Sequence, residues 1–228
     1  MIPGLPIVCF YLLRTIIPGF RMMTAAHLVG EQAVEILGVV GPDQLVVRPL
    51  SFSSHYDRLQ KHLGEVSKNM EKLLQPKVNQ SCAVLYENRW HRGLVEVIER
   101  LTCQVRFVDL WRKSYVNFDA LRKLPDHFLQ EHAYCLPCHL PGCSDMDDKI
   151  LEVELGSRKK VSLHRRGVPE MKAGVWSMPV EICWEEEKYV DPVGLPVQQT
   201  VFLSQRMLHT MRVQGESTLD TTKSEEET

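Results

Sequence analysis

Four short segments rich in β-branched and aromatic residues follow one another closely in this chain, and they limit its fold more than any other feature. They are Ser81–Tyr86, Trp90–Ile98, Cys103–Asp109 and Ser114–Phe118. Because only a few residues separate each segment from the next, consecutive strands are expected to pair as antiparallel neighbours. Short strands at this spacing predict a small, strongly bent antiparallel barrel.

Composition places the chain among ordinary globular proteins. It has 228 residues, of which 44% are hydrophobic and 25% are charged, so it can bury a substantial core. The 27 Lys and Arg residues nearly balance the 29 Asp and Glu residues, which gives a formal net charge of −2. This balance argues against a duplex-DNA-binding protein, because such a protein would present a concentrated basic face.

The segments on either side of the predicted barrel supply a helix and further strands. Val34–Val40 and Leu45–Leu50 flank a Gly-Pro-Asp turn and predict a hairpin. A helix is predicted from a cap at Ser53 or Ser54 up to Pro76, because apolar residues recur there at three- and four-residue spacing. Later predicted strands, and a last predicted helix, are Tyr134–Leu140, Ile150–Leu155, Lys160–His164, Pro179–Trp184 and, for the helix, Leu203–Val213.

The two ends of the chain are expected to lie outside the packed structure. Residues 1–32 are expected to form a poorly ordered leader, in which Arg14 and several prolines interrupt the apolar run. No run reaches the roughly 20 residues of a membrane-spanning helix, and no basic region marks a signal peptide. Residues 214–228 are polar and acidic and are expected to stay disordered.

Cysteine usage indicates a reducing compartment. The chain has 7 cysteines, an odd number, and they do not frame short loops as disulfide-bonded cysteines do. This pattern favours reduced thiols in a cytosolic or nuclear protein.

Residues 81–125 carry a specific pattern. It begins with Cys-Ala-Val-Leu-Tyr at Cys82, continues with Trp-His-Arg-Gly at Trp90 and Val-Arg-Phe-Val-Asp at Val105, and closes with Leu-Arg-Lys-Leu-Pro at Leu121. In order and spacing it resembles the Tudor domain. That family has a Cys-Ala strand, a Trp-Tyr-Arg-Ala strand, a Val-Arg-Phe-Val-Asp-Tyr-Gly-Asn strand and a closing Leu-Arg-x-Leu-Pro.

The resemblance extends outward, because the hairpin and helix before the barrel and residues 133–142 after it are similar to the extended Tudor module of germline proteins. It implies a mostly β, α+β fold, in which a Tudor SH3-like β-barrel is inserted into a split OB-type, staphylococcal-nuclease-like fold and joined to it by a long helix. After the leader, the expected parts are the N-terminal part of the nuclease-like lobe with the linker helix at 33–76, the Tudor barrel at 77–130, the C-terminal part of the lobe at 131–213 and the acidic tail.

The resemblance also implies a function. Methylation leaves arginine positively charged but removes hydrogen-bond donors, so a carboxylate recognises it less well. Aromatic faces still attract the planar cation, by about 0.5–2 kcal/mol per contact. The chain is therefore expected to be a non-enzymatic interaction protein without a cofactor. Its expected partners are methylated Arg-Gly-rich tails of Piwi-type proteins in germline small-RNA (piRNA) pathways, in the cytoplasm or in germ granules.

The ligand-binding residues implied by the resemblance form an aromatic cage. The four aromatic places of the family fall on Tyr86, His91, Phe107 and Leu110. Because Leu110 is aliphatic, the next residue, Trp111, is a candidate replacement for the missing wall. The predicted cage is therefore Tyr86, His91, Phe107 and Trp111.

The turn after the third strand departs from the family. Trp111 and Arg112 stand where the family has Gly and a hydrogen-bonding Asn, and Asp109 is expected to brace the turn. Arg112 should repel a cationic ligand, since two like charges at 4 Å interact by about 1 kcal/mol in water and more in a dry site. A degenerate cage of this kind leaves two alternatives open: a scaffold without methylarginine recognition, or a module that contacts RNA.

The RNA alternative depends on one basic cluster. Its residues are Arg158, Lys159, Lys160, Arg165 and Arg166. An OB-type surface can hold RNA phosphates with such residues, although a solvated hairpin is the simpler interpretation because no aromatic platform accompanies them.

Metal and enzyme chemistry are the remaining hypotheses. Zinc favours residues of the type and spacing found at His132, Cys135, Cys138, His139 and Cys143. The segment Cys-His-Leu-Pro-Gly from Cys138, however, matches a core strand of extended Tudor modules, and no metal is predicted. No carboxylate and arginine set for phosphodiester cleavage and no other catalytic motif is found, so no enzymatic activity is predicted.

Overall fold

The computed structural model describes residues 19–23, 27–28, 30–144, 148–155, 160–172, 175–190 and 195–207. The acidic tail and most of the predicted leader lie outside these residues. The last predicted helix lies partly outside them, and a helical turn at 203–207 marks its beginning.

Two main sheets and a few helices make up the described part of the chain. The strands are β1 Arg21–Met22, β2 Glu31–Gly41, β3 Gln44–Pro49, β4 Ser81–Tyr86, β5 Arg89–Glu99, β6 Thr102–Phe107, β7 Lys113–Asn117, β8 Leu121–Lys123, β9 His132–Ala133, β10 Leu136–His139, β11 Lys160–Arg165, β12 Glu170–Lys172, β13 Val175–Val190 and β14 Leu195–Phe202. The α-helices are α1 Ser53–Val66, α2 His127–Gln130 and α3 Asp148–Leu155.

The first sheet, called the small sheet, confirms the predicted antiparallel arrangement. Its strand order is β7-β6-β5-β4-β8, and a bulge between Val95 and Val97 bends the long strand β5. Along β6 the residues Cys103, Val105 and Phe107 are buried and alternate with more exposed polar residues. This two-residue period places one face of each strand in a common core.

The second sheet, called the closed sheet, is built from segments on both sides of the small sheet. Its strands are hydrogen-bonded in the order β10-β3-β2-β11-β13, and β10 also pairs with β13 in parallel, with Cys138 opposite Met178, so the ring closes. Because β2 and β3 precede the small sheet in the chain and β10 to β13 follow it, the small sheet is an insertion. The predicted fold class is therefore confirmed.

A junction joins the two sheets. Its buried apolar residues, called the junction cluster, are Phe20, Val46, Leu94, Val108, Trp111, Ala133 and Cys135. Helix α1 adds to the contact, because Leu59 and Leu63 pack with Ala83 of the small sheet and with Phe128 and Tyr134.

Helix α1 is shorter than the sequence predicts. It ends at Val66, and the residues expected to continue it to Pro76 instead run beside β8. The Leu73 N–H donates to the Leu121 carbonyl at 3.2 Å, and the Lys123 N–H donates to the Glu71 carbonyl at 2.9 Å. Hydrogen bonds to a strand edge thus replace those of the expected last turns.

The predicted serine cap of α1 is also wrong. A 3-10 turn at Leu50–Phe52 leads directly into the helix, the N-cap position is Phe52, and no side chain caps it.

The segment Ile150–Leu155, predicted as a strand, belongs to helix α3. Leu151 and Leu155 lie four residues apart and are both buried, whereas Val153 between them is 76% exposed. A helical period therefore describes the burial, and an alternating one does not. None of the helices in the described ranges is long and apolar enough to cross a membrane.

Candidate functional site

Three of the four predicted cage residues meet at one end of the small sheet. Tyr86 ends β4, His91 lies in β5 and Phe107 ends β6, and these strands are antiparallel neighbours. The ring centroids of Tyr86 and Phe107 are 5.0 Å apart with an interplanar angle of 52°, and those of His91 and Phe107 are 5.4 Å apart at 75°. Tilted and edge-to-face rings at these distances form the walls of a cage.

Arg112 occupies this cage. Its guanidinium carbon lies 4.9 Å from the ring centroid of Tyr86 and 5.7 Å from that of Phe107, which is cation–π geometry. The guanidinium also pairs with the Glu87 carboxylate at 3.2 Å. With this cation in place, Phe107 is 0% exposed and His91 is 7% exposed.

A tight turn after β6 brings Arg112 back over the rings. The Phe107 carbonyl accepts the Trp111 N–H at 2.8 Å, and the Phe107 N–H donates to the Arg112 carbonyl at 2.8 Å. Trp111 has a φ of 57°, in the left-handed region that favours glycine, and the family has Gly at this place. The turn thus keeps a left-handed residue here although the glycine has been replaced.

His91 is a neutral wall of the cage. Burial lowers its pKa, the Arg112 cation lowers it further, and the Asp109 carboxylate opposes both effects. Its Nδ1 atom is buried and has no hydrogen-bond partner among the described residues. An unsatisfied buried polar atom costs about 1–3 kcal/mol, so the closed cage leaves one polar group that a ligand could satisfy.

Trp111, the fourth predicted ligand contact, does not join the cage. Its ring belongs to the junction cluster, and the Arg106 guanidinium carbon lies 5.0 Å from the ring centroid. Leu110 packs, half-buried, against the core of the small sheet instead. We correct the prediction for Trp111: the left-handed turn places its side chain between the two sheets.

Asp109 braces the turn as the sequence predicts. Its carboxylate accepts the Arg92 Nε–H at 3.0 Å, a second Arg92 hydrogen bond from Nη2, and the Tyr134 N–H at 2.9 Å. Arg92 also donates to the carbonyls of Phe128, Glu131 and His132. The turn that holds Arg112 is therefore fixed by buried hydrogen bonds.

Arg48 is a residue of this region that the sequence interpretation missed. It donates to the carbonyls of Asp109 and Tyr134, pairs with Glu35 at 3.1 Å, and has its guanidinium carbon 3.6 Å from the Tyr56 ring centroid. A buried-strand pattern that contains an arginine was the only available signal, because β3 is otherwise apolar.

The basic cluster is only partly described. Arg158 and Lys159 lie outside the described residues, and so does the side chain of Lys160. Arg165 donates to the Gly167 carbonyl at 2.6 Å, and Arg166 lies 4.0 Å from the Glu181 carboxylate. RNA contact by this cluster stays a prediction.

The residues considered for zinc have separate surroundings. The Cys135 thiol donates to the Val108 carbonyl, and His139 Nδ1 lies 3.1 Å from the Ser177 hydroxyl oxygen. Within the described ranges a different triad, Glu31, His164 and Cys183, brings its ligand atoms within 4.8 Å of one another. Burial and nearby carboxylates raise the pKa of the Cys183 thiol, so it stays protonated, and we assign this triad no ion.

Comparisons with solved structures identify the same architecture. An extended Tudor domain of mouse TDRD1 in complex with a dimethylarginine-containing MILI peptide has a TM-score of 0.63 at 15% identity, over 84% of this chain and 96% of that one. The human TDRD1 extended Tudor domain, in complex with a symmetrically dimethylated peptide, has a TM-score of 0.61 at 16% identity, over 72% and 84%. The extended Tudor domain of BmPAPI in complex with sDMA has a TM-score of 0.61 at 15% identity, over 80% and 97%.

Sequence comparison assigns the family. No curated protein sequence matches the chain. The profile of the Tudor domain matches residues 28–142, which is half of the chain and includes the whole small sheet and the strands β2, β3 and β10. Tudor domains are binding modules, and this chain belongs to the Tudor domain family.

Proposed function

We propose that this protein is a non-enzymatic interaction module whose cage, formed by Tyr86, His91 and Phe107, binds a methylated arginine side chain in the tail of a partner protein. The observation that carries the proposal is the Arg112 guanidinium, which lies within cation–π distance of two of the three rings. A site that accepts one guanidinium has the shape and the electrostatics to accept another.

Methylation is compatible with these walls. A methylated guanidinium keeps its charge and its planar face but has fewer N–H donors. The cage offers ring faces, the neutral His91 imidazole and one nearby carboxylate, Glu87, which is exposed. Ring faces and methyl groups attract each other without donors, so these walls favour the methylated form.

The proposal extends to the partner class that the extended Tudor module implies. The partners would be methylated Arg-Gly-rich tails of Piwi-type proteins in a germline small-RNA (piRNA) pathway, in the cytoplasm or in germ granules. The mouse and human domains of similar fold are supporting cases, because they were crystallised with dimethylated peptides.

Calorimetric titration with one Arg-Gly peptide in unmethylated and symmetrically dimethylated forms tests the function. Tyr86→Ala is the main variant, because Tyr86 is half-buried at the end of β4. Tyr115→Ala is the matched control, since Tyr115 is an exposed tyrosine of the same sheet that bonds to Glu99. We expect methyl-dependent binding that falls at least tenfold, about 1.4 kcal/mol, in Tyr86→Ala and is unchanged in Tyr115→Ala.

Other outcomes select the alternatives. Equal binding of both peptide forms, or no loss in Tyr86→Ala, would favour a scaffold that uses other surfaces. Steeply salt-dependent binding of single-stranded RNA, without peptide binding, would favour the basic cluster around Arg165 and Arg166.

A further inference from the structure

We propose that Arg112 is an internal ligand of the cage and that an arginine from a partner must displace it to bind. The inference rests on the proposed function for its second half, the displacement, but its first half concerns the free protein alone. It makes Arg112 the residue that sets the affinity of the site.

The geometry of the turn supports an internal ligand rather than a chance surface contact. The backbone of Arg112 is tied to Phe107 by the hydrogen bond from the Phe107 N–H, so the side chain starts beside the cage. Its guanidinium then approaches the rings of both Tyr86 and Phe107, and Glu87 holds its outer edge. Phe107 has no exposed surface in this arrangement, so no external ligand can reach its ring until Arg112 moves.

The same geometry leaves a route out of the cage. Arg112 and Glu87 have side chains that are 47% and 66% exposed, so the pair lies at the solvent boundary and can separate without unfolding the sheet. The rings behind it are held by strands β4, β5 and β6. A rotation of the Arg112 side chain would therefore open the site while the walls stay in place.

Occupation by Arg112 reduces the apparent affinity for any external arginine. When a site is competent for only a fraction of the time, the apparent dissociation constant is the intrinsic one divided by that fraction. If the cage is open about one-tenth to one-hundredth of the time, removal of the Arg112 side chain should tighten binding by about ten- to a hundredfold. Simple charge repulsion predicts a different pattern, in which any cation at this position weakens binding equally.

Nuclear magnetic resonance of the free protein tests the first half. The Arg112 side-chain methylene protons next to the guanidinium should show upfield ring-current shifts, since the group lies over the Tyr86 ring. Arg100, in the connection between β5 and β6 and outside the cage, is the internal reference. The shifts should disappear in Tyr86→Ala, and ordinary shifts for Arg112 in the free wild-type protein would overturn the proposal whatever the protein binds.

Titration of variants with the dimethylated Arg-Gly peptide tests the second half. We expect Arg112→Ala to bind about ten- to a hundredfold more tightly than wild type, and Arg112→Asn, which returns the residue of the family, to bind at least as well. Arg112→Lys keeps the charge but loses the planar stacking face, so it should bind more tightly than wild type and less tightly than Arg112→Ala. Lys113→Ala is the matched control, because Lys113 is the adjacent cation and pairs with Glu96 instead of the cage.

The outcomes separate this inference from the proposed function. Wild-type binding that Arg112→Ala does not improve, or that Lys113→Ala improves as much, overturns the internal ligand and leaves the function standing. Equal affinities for wild type and Arg112→Lys show repulsion instead of occupation, and they overturn it as well. Absence of peptide binding in every variant overturns the displacement together with the proposed function, while the ring-current shifts still decide whether Arg112 occupies the cage.

Discussion

Arg92 is a fully buried cation, and Asp109 makes its burial possible. The Asp109 carboxylate and three backbone carbonyls accept hydrogen bonds from the guanidinium. Burial alone would lower the pKa of Arg92, but the carboxylate and its hydrogen bonds raise that pKa above its ordinary value. The charge is thus retained inside the protein because a counter-charge is fixed beside it.

Asp109→Asn should strongly destabilise the protein. The amide has nearly the same shape as the carboxylate, but it leaves the Arg92 charge buried without a counter-charge. Removal of one partner from a buried ion pair costs about 3–5 kcal/mol, and urea denaturation followed by circular dichroism measures it. Glu87→Gln is the control, because it breaks an exposed pair that is worth at most about 1 kcal/mol. Similar losses in both variants would contradict this account of Asp109.

The cage could be predicted from the sequence only in part. Tyr86, His91 and Phe107 could be placed because the family pattern fixes their register on neighbouring strands. The positions of Trp111 and Arg112 could not, because they depend on which way a left-handed turn directs its side chains. The charge of Arg112 is evident from the sequence, and repulsion follows from it, but the contact with Tyr86 that turns the residue into an occupant is not.

Helix α3 shows how a short segment can satisfy two patterns at once. Its sequence Ile-Leu-Glu-Val-Glu-Leu alternates as a strand does, and it also places two leucines four residues apart. The alternation and the β-branched residues favoured a strand. The structure selects the helix, because Leu151 and Leu155 then reach the core of the closed sheet together. Local pattern alone could not decide, since the deciding contacts are distant in the chain.

Two alanine substitutions distinguish these patterns. In the helix, Val153 is exposed, so Val153→Ala should stabilise the protein by roughly 0.5 kcal/mol through helix propensity. Leu151→Ala should destabilise it by about 2–5 kcal/mol, since Leu151 is fully buried. In a strand, Val153 would share the buried face of Leu151 and Leu155, and its replacement would be costly too. Denaturation midpoints of the two variants measure the difference.

The two sheets are linked by specific polar contacts as well as by apolar packing. Arg48 of β3 donates to the carbonyls of Asp109 and Tyr134, and Arg92 of β5 donates to the segment that leads into β9 and β10. The insertion of one sheet into the other could be predicted from the resemblance to the extended Tudor module. These links could not, because an arginine in an apolar strand does not identify its partner.

Three histidines in different parts of the molecule should make its stability depend on pH. Burial is the largest cause that lowers the pKa of each: His91 in the cage, His132 in β9 and His139 in β10. Nearby cations lower these values further, namely Arg112 for His91, the His27, Arg21 and Arg92 groups for His132, and Lys172 for His139. The unfolded chain, in which a histidine has a pKa of about 6.5, therefore binds protons more readily than the folded one.

The free energy of unfolding should consequently fall as the pH decreases below about 6.5, and the loss should level off below the folded pKa values. Urea midpoints at pH 7.5 and pH 5.5 measure the change. His91→Tyr, which carries the family residue at this position, cannot titrate there and should reduce the difference between the two midpoints. His55→Tyr, on the exposed side of α1, should leave that difference as it is in wild type. A midpoint that rises toward pH 5.5, or an equal difference in wild type and His91→Tyr, would show that the buried imidazole of the cage does not resist protonation.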